Sequence, residues 1–268
     1  MDIKTNHKLA LDNNEIHLWV TRPQHIDAPS LLNQYASLIT KEENLRLERF
    51  IFDKDKHSGL VTRAFVRDLL SHYADIPPGS WIFEKGEKGR PEINNPPTPL
   101  RFNLSHTSNM IICALTSRDD IGCDVEYTSR QTNVLSVANR YFSTEETREL
   151  FRLPLEQQKS RFFDLWTLKE SYIKACGLGL AIPLDDFSFT IGLQKNDCFN
   201  TDIQLSFSEN RIDQPRLWQS WLFYPDTEHR VAISVKRPSH QHNSTRPYKL
   251  RFFESIPLIR SEETSWFK

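Results

Sequence analysis

The chain has 268 residues, 38% hydrophobic and 26% charged, enough to bury the core of one large domain or of two moderate ones. Its 34 basic and 35 acidic side chains nearly cancel, so neither nucleic acid nor a membrane surface is expected as a partner, and any anion site must be a local cluster. The four cysteines (Cys113, Cys123, Cys176, Cys198) show no CxxC spacing, the N-terminus has no basic region followed by an apolar core, and the longest apolar run, Met110 to Leu115, is too short to span a bilayer; a cytoplasmic protein with reduced thiols is expected.

Ile16, Leu18 and Val20 alternate with His17 and Trp19, which predicts a first strand ending at Pro23. Two helices follow, one through Leu31, Leu32, Tyr35 and Leu38, the other opened by a Thr40–Glu43 capping box and running through Leu45, Leu47 and Phe50 with Arg46 and Arg49 on its charged face. From Lys56 to Tyr73 apolar residues recur at helical spacing, leaving Arg63 and Arg67 four apart on another face. A strand-rich section comes next: a short strand at Trp81 to Phe83, a turn at Gly86 to Gly89, a loop at 94 to 99, then strands through Leu100 to Ser105, Met110 to Thr116 and Ile121 to Glu126, read as an antiparallel meander. The pattern then returns to helix at 133 to 141, after a Ser143–Glu146 capping box, and from Glu156 onward. Strand signals resume at 187 to 191, 203 to 207, 218 to 223 and 231 to 235, and a short apolar run stands at Leu250 to Phe253. Helices then strands, twice over, predict an α+β protein of two comparable lobes, residues 1–118 and 119–268.

Two stretches carry chemistry. In IGCDVE, residues 121 to 126, strand alternation sends Ile121, Cys123 and Val125 to one side and Asp124 and Glu126 to the other. Two carboxylates there are either a solvated strand edge or a magnesium site, since magnesium takes hard oxygens from one or two carboxylates and completes its shell with water and phosphate. In FDLWTLKESYIKACGLG, residues 163 to 179, a helix carries Leu165, Trp166 and Ile173 on an apolar stripe and Lys169, Glu170 and Lys174 on a polar strip. Taken singly, Glu170 and Lys174 are a helix salt bridge worth about 0.2–0.5 kcal/mol. Ser105 and His106 at a strand end can both donate to a phosphate, and Arg90 and the early-helix arginines can pair with one. No GxxxxGK[ST], GxGxxG or HExxH pattern occurs.

Read together, GRP at 89 to 91, FNLSH at 102 to 106, IGCDVE at 121 to 126 and WTLKESYIK at 166 to 174 resemble, in order and spacing, the motifs of the Sfp-type 4′-phosphopantetheinyl transferases. The resemblance covers roughly residues 15 to 235 and implies two similar, pseudo-twofold-related lobes, each an antiparallel sheet packed with helices, with the active site between them. It implies transfer of the phosphopantetheine arm of coenzyme A to a serine of an apo acyl, peptidyl or aryl carrier protein by a magnesium-dependent monomer. On that resemblance Asp124, Glu126 and Glu170 hold the magnesium, Glu170 is also the base, and Lys174 neutralises the transferring phosphate. Gly89, Arg90, Pro91, Ser105, His106 and Arg46 bind coenzyme A together with Asp124 and Lys174, and Thr128 to Val137 help dock the carrier. Arg90 stands where lysine is commoner, Cys123 where an aliphatic residue is usual, and Ser58 and Gly59 where many relatives place a basic contact that Arg63 could replace. The alternative is a non-catalytic coenzyme A or carrier-binding module of the same fold.

Overall fold

The computed structural model describes residues 8–86, 91–94, 99–193, 198–237 and 247–265. In chain order it contains β1 (Glu15–Thr21), α1 (Pro29–Leu38), α2 (Lys41–Leu47), α3 (Asp53–Ser71), β2 (Phe83–Lys85), β3 (Pro91–Ile93), β4 (Arg101–His106), β5 (Ile111–Thr116) and β6 (Asp120–Tyr127). After these come α4 (Val134–Tyr141), α5 (Thr144–Arg152), α6 (Leu155–Cys176), β7 (Phe187–Ile191), β8 (Phe199–Asn200), β9 (Ile203–Phe207), β10 (Trp218–Phe223), β11 (His229–Lys236), β12 (Lys249–Ile256) and β13 (Arg260–Thr264). Strands in the order β13-β12-β1-β5-β4 form one sheet and β6-β11-β10-β8 a second, while β2–β3 and β7–β9 are two-stranded ribbons.

The elements stack as helix, sheet, sheet, helix. Trp19 on β1 and Phe253 on β12 pack with Val61, Phe65 and Leu69 of α3 in one core. Ile16, Leu18 and Val20, on the other face of β1, meet Ile121, Cys123 and Val125 of β6 and Val231 and Ile233 of β11 in a second core between the sheets. A third core joins Leu222 and Ala232 to Leu165, Leu168 and Tyr172 of α6. The alternation in β1 is therefore between two cores, not core and solvent, and every residue of the strand is buried.

Local signals place the helix starts. Both capping boxes form, at Thr40/Glu43 and at Ser143/Glu146, each satisfying backbone donors that the first helical turn leaves open. The second helix stops at Leu47, and Phe50 lies exposed beyond it. Gly177 ends α6 in the left-handed conformation, φ 69°, where a side chain would be strained.

Longer-range pairing departs from the sequence reading in two places. Strands β4 and β5 form the expected antiparallel hairpin, but β6 leaves that sheet and pairs with β11, so the three are not one meander. Residues 249–256 return to the first sheet: β12 runs parallel to β1, with Glu15 opposite Lys249 and Trp19 opposite Phe253.

A candidate active site where the two sheets meet

The open edges of the two sheets, β4 and β6, face each other, and side chains bridge them. Asn103 Oδ1 accepts from the Cys123 N–H at 2.9 Å, and Ser105 Oγ accepts from the Val125 N–H at 3.3 Å. These bonds satisfy donors of β6 that point away from β11, as buried backbone groups require. They also fix Ser105 against Asp124, whose Oδ1 accepts from Ser105 Oγ at 2.8 Å.

The third wall is α6. A Cβ at Gly122 would lie 2.0 Å from the Ser171 carbonyl oxygen and 2.3 Å from the Ala175 nitrogen, so only glycine lets the helix backbone press this closely on the strand. The approach delivers Lys174 Nζ to 2.6 Å from Asp124 Oδ1 and 2.9 Å from Ser105 Oγ. Asp124 is 4% exposed, and its Oδ2 has no hydrogen-bond partner among the described residues. A cleft of about 480 Å³ opens here, lined by Ser105, His106, Asp124, Glu126, Arg130 and Lys174 among others.

The carboxyls around Asp124 feel the crowding. Burial, then the charge of Asp124, pushes the Glu126 pKa up to about 7, although Arg130, a hydrogen bond from Trp166 and Lys174 all pull it down. Glu170, half-buried one turn before Lys174, is raised by burial and then by Asp124, against the pull of Lys174. Burial disfavours the Lys174 ammonium, but Asp124 and Glu170 more than offset this and raise its pKa. His106 ends β4 with an exposed side chain in concave surroundings; partial desolvation, then Lys174 and Arg63, lower its pKa.

Ser105, Asp124 and Lys174 are thus in direct contact, and His106 and Glu126 share their cleft. Glu170 interacts with Asp124 and Lys174 through its charge. Arg46 sits farther off, ion-paired with Glu42 on α2, its charge felt by Arg63 and that of Arg63 by His106. Pro91 opens β3 and lines a separate cleft with Phe102, Arg101 and Leu178. Gly89 and Arg90 lie outside the described residues.

Two helix cations are interior. Arg67 is 2% exposed and donates to Glu43 Oε2 at 2.7 Å, tying α3 to the cap of α2. Lys169, assigned to the polar strip, is 0% exposed: its Nζ donates to the carbonyls of Leu184 at 2.7 Å and Phe187 at 2.6 Å and pairs with Glu146 Oε2 at 2.8 Å. It locks α6, immediately before Glu170, to α5 and β7. Arg130 was not singled out by sequence reasoning; its only local signal is a cation four residues after Glu126, which it contacts at 2.9 Å.

Among the described residues no three His, Cys, Asp or Glu side chains form a ready metal cluster. The donor set nevertheless fits magnesium, which binds through one or two carboxylates and takes its remaining ligands from phosphate and water. Asp124 Oδ2, buried without a partner, is the atom that such an ion would satisfy. No described helix is long and apolar enough to cross a membrane.

Comparison with known proteins agrees with this architecture. The family profile of the 4′-phosphopantetheinyl transferase superfamily matches residues 120–234, and that of the 4′-phosphopantetheinyl transferase N-terminal region matches residues 27–118. The 4′-phosphopantetheinyl transferase HetI of Nostoc sp. is 35% identical over 176 residues, 65% of this chain and 73% of the relative. The 4′-phosphopantetheinyl transferase Sfp of Bacillus subtilis is 35% identical over 155 residues, 58% of this chain and 67% of the relative. The L-aminoadipate-semialdehyde dehydrogenase-phosphopantetheinyl transferase of Homo sapiens is 26% identical over 223 residues, 78% of this chain and 71% of the relative. With its two sheets, the Ser105–Asp124–Lys174 junction between them and these matches along most of its length, the chain belongs to the Sfp-type 4′-phosphopantetheinyl transferases.

Proposed function

We propose that the protein transfers the 4′-phosphopantetheine arm of coenzyme A to a serine of an apo carrier protein, releasing adenosine 3′,5′-bisphosphate. The observation that carries this reading is the junction itself, where a lysine, a buried aspartate with one unpartnered oxygen and a strand-end serine meet within 2.6 to 2.9 Å, flanked by two more carboxyls. Such an arrangement suits a dianionic pyrophosphate. Phosphoryl transfer needs little beyond positioning and neutralisation of charge, and the site is built for both.

Asp124, Glu126 and Glu170 are the residues that would hold magnesium, which supplies neutralisation of the pyrophosphate charge when bound. Lys174 donates to the phosphate being transferred, exchanging its bond to Asp124 for one to a phosphate oxygen. Ser105 and His106, at the end of β4, supply further donors to the nucleotide half, and Arg46, Gly89, Arg90 and Pro91 are the further residues assigned to it. Glu170 accepts the proton of the carrier serine, directly or through water, and its raised pKa makes it a stronger base than an ordinary carboxylate. The serine Oγ–phosphorus bond forms as the bridging phosphorus–oxygen bond breaks, and the electron pair leaves with the bisphosphate.

The turn after β6 reaches the cleft at Arg130, and this turn with the amphipathic α4 that follows it in the chain forms the docking surface for the carrier. The four cysteines are scattered along the chain without CxxC spacing, which supports a reducing, cytoplasmic setting.

Glu170→Gln separates this reading from a non-catalytic binding module. Transfer to an apo carrier should fall at least about 10²-fold, the usual scale for loss of a general base, while binding of coenzyme A and carrier survives. Unchanged transfer removes Glu170 from the mechanism. Cleavage of coenzyme A with no carrier present would instead indicate a phosphohydrolase.

A further inference from the structure

Each strand carboxylate of the cleft has a resident cation. Lys174 Nζ holds Asp124 Oδ1 at 2.6 Å, and Arg130 Nη1 holds Glu126 Oε2 at 2.9 Å. Arg130 stands on the turn after β6, its guanidinium over the Phe163 ring at 5.2 Å from the centroid, and its side chain is 41% exposed. That exposure leaves it room to move off Glu126. The space beside it is the 480 Å³ cleft that it lines with His106 and Lys174, where an anion would be received.

Both partners of the Glu126–Arg130 pair have a competing use. A divalent ion at Glu126 Oε2 competes with Arg130 for that oxygen, and the planar fork of an arginine matches phosphate oxygens as well as it matches a carboxylate. Without an anion in the cleft, moving Arg130 off Glu126 sacrifices its ion pair. With a pyrophosphate present, the arginine exchanges one partner for another.

We infer that Arg130 is a positioning residue that couples the two ligands of the site: it blocks Glu126 against a divalent ion until the pyrophosphate of coenzyme A draws it away. The inference rests on the transferase reading above. Linkage is reciprocal, so the factor by which coenzyme A tightens magnesium equals the factor by which magnesium tightens coenzyme A, and loss of Arg130 must reduce both alike.

The test is calorimetric titration of magnesium into the intact protein, alone and saturated with coenzyme A, with no carrier present and hence no turnover. In Arg130→Gln, magnesium should bind the free protein about two- to fivefold more tightly, the range for releasing a partly exposed ion pair, and the tightening conferred by coenzyme A should shrink by at least the same factor. Arg130→Lys, which keeps the charge but not the fork, should fall between. A general effect of removing one positive charge would tighten magnesium equally with and without coenzyme A; an unchanged coupling factor in a variant of unchanged thermal stability therefore overturns the inference. That outcome leaves the transferase reading standing if the wild-type protein modifies a carrier. A wild-type protein that neither binds coenzyme A nor modifies a carrier overturns both.

Discussion

Single side chains do two kinds of work around the cleft: some face the substrate, and others hold those in place from within the core. Lys169 is of the second kind. Its ammonium is fully enclosed, and although burial lowers its pKa, Glu146 and two carbonyl oxygens satisfy all three of its donors. Removing one partner of such a pair strands the other, so Lys169→Met should lower unfolding stability by about 3–5 kcal/mol in a urea titration. A loss below about 1 kcal/mol, the scale of an exposed pair, would mean that the interior bond network contributes little. The sequence shows a KE dipeptide on a helix and cannot say which of the two faces inward. That depends on a turn and a strand that α6 meets only in the folded chain, where Leu184 and Phe187 present their carbonyls.

Among the elements, β6 and α6 form the frame of the site, and Gly122 sets the distance between them. A methyl group there meets helix backbone at 2.0 Å and 2.3 Å, and backbone cannot rotate away as a side chain can. Gly122→Ala should therefore push α6 off β6, costing about 1–3 kcal/mol by overpacking, and should cut transfer far more than stability because Lys174 and Glu170 move relative to Asp124. Thermal unfolding with a parallel rate measurement checks both; a variant with unchanged transfer would show that the helix has room to spare.

Much of this frame was legible. Capping boxes form within four residues, so Thr40–Glu43 and Ser143–Glu146 declared two helix starts, and the alternation of Asp124 and Glu126 against Cys123 and Val125 placed the acids on one strand face. The partner of β6 was not legible. Its apolar residues suit either neighbour, and it is side chains of β4, not its ladder, that join it to the first sheet. Arg46 and Pro91, brought forward by resemblance to a family, do not line the Ser105–Asp124 cleft.

Across the whole molecule, the two ends of the described chain are bound together. β12 supplies Phe253 to the outer core and Phe252 to the core between the sheets, and it lies directly against β1. Nothing local announces a parallel pairing between strands so far apart in sequence, which is why the run at Leu250 to Phe253 read only as an apolar segment. A polar network accompanies the pairing: His17 on β1 is fully buried, with Nδ1 2.7 Å from Tyr73 Oη and Nε2 3.3 Å from Glu15 Oε2.

Burial, then the charge of Arg251, lowers the His17 pKa to about 4, despite Glu15. The folded value is depressed below that of the unfolded chain, so the stability it contributes is complete above about pH 6.5 and is lost as pH falls through about 4. The slope that one such group can add is at most about 1.4 kcal/mol per pH unit. Unfolding stability should therefore fall between pH 6.5 and 4, and less steeply in His17→Asn. An identical slope in the variant would assign the acid limb to other groups.

The most direct measurement is the intact mass of an apo carrier protein after incubation with the wild-type protein, coenzyme A and magnesium, with adenosine 3′,5′-bisphosphate followed in the same mixture. One phosphopantetheine arm should be added per carrier, on a serine, with the bisphosphate released in equal amount. A folded protein that binds coenzyme A yet leaves every carrier of a broad acyl, peptidyl and aryl panel unmodified would contradict the transferase reading.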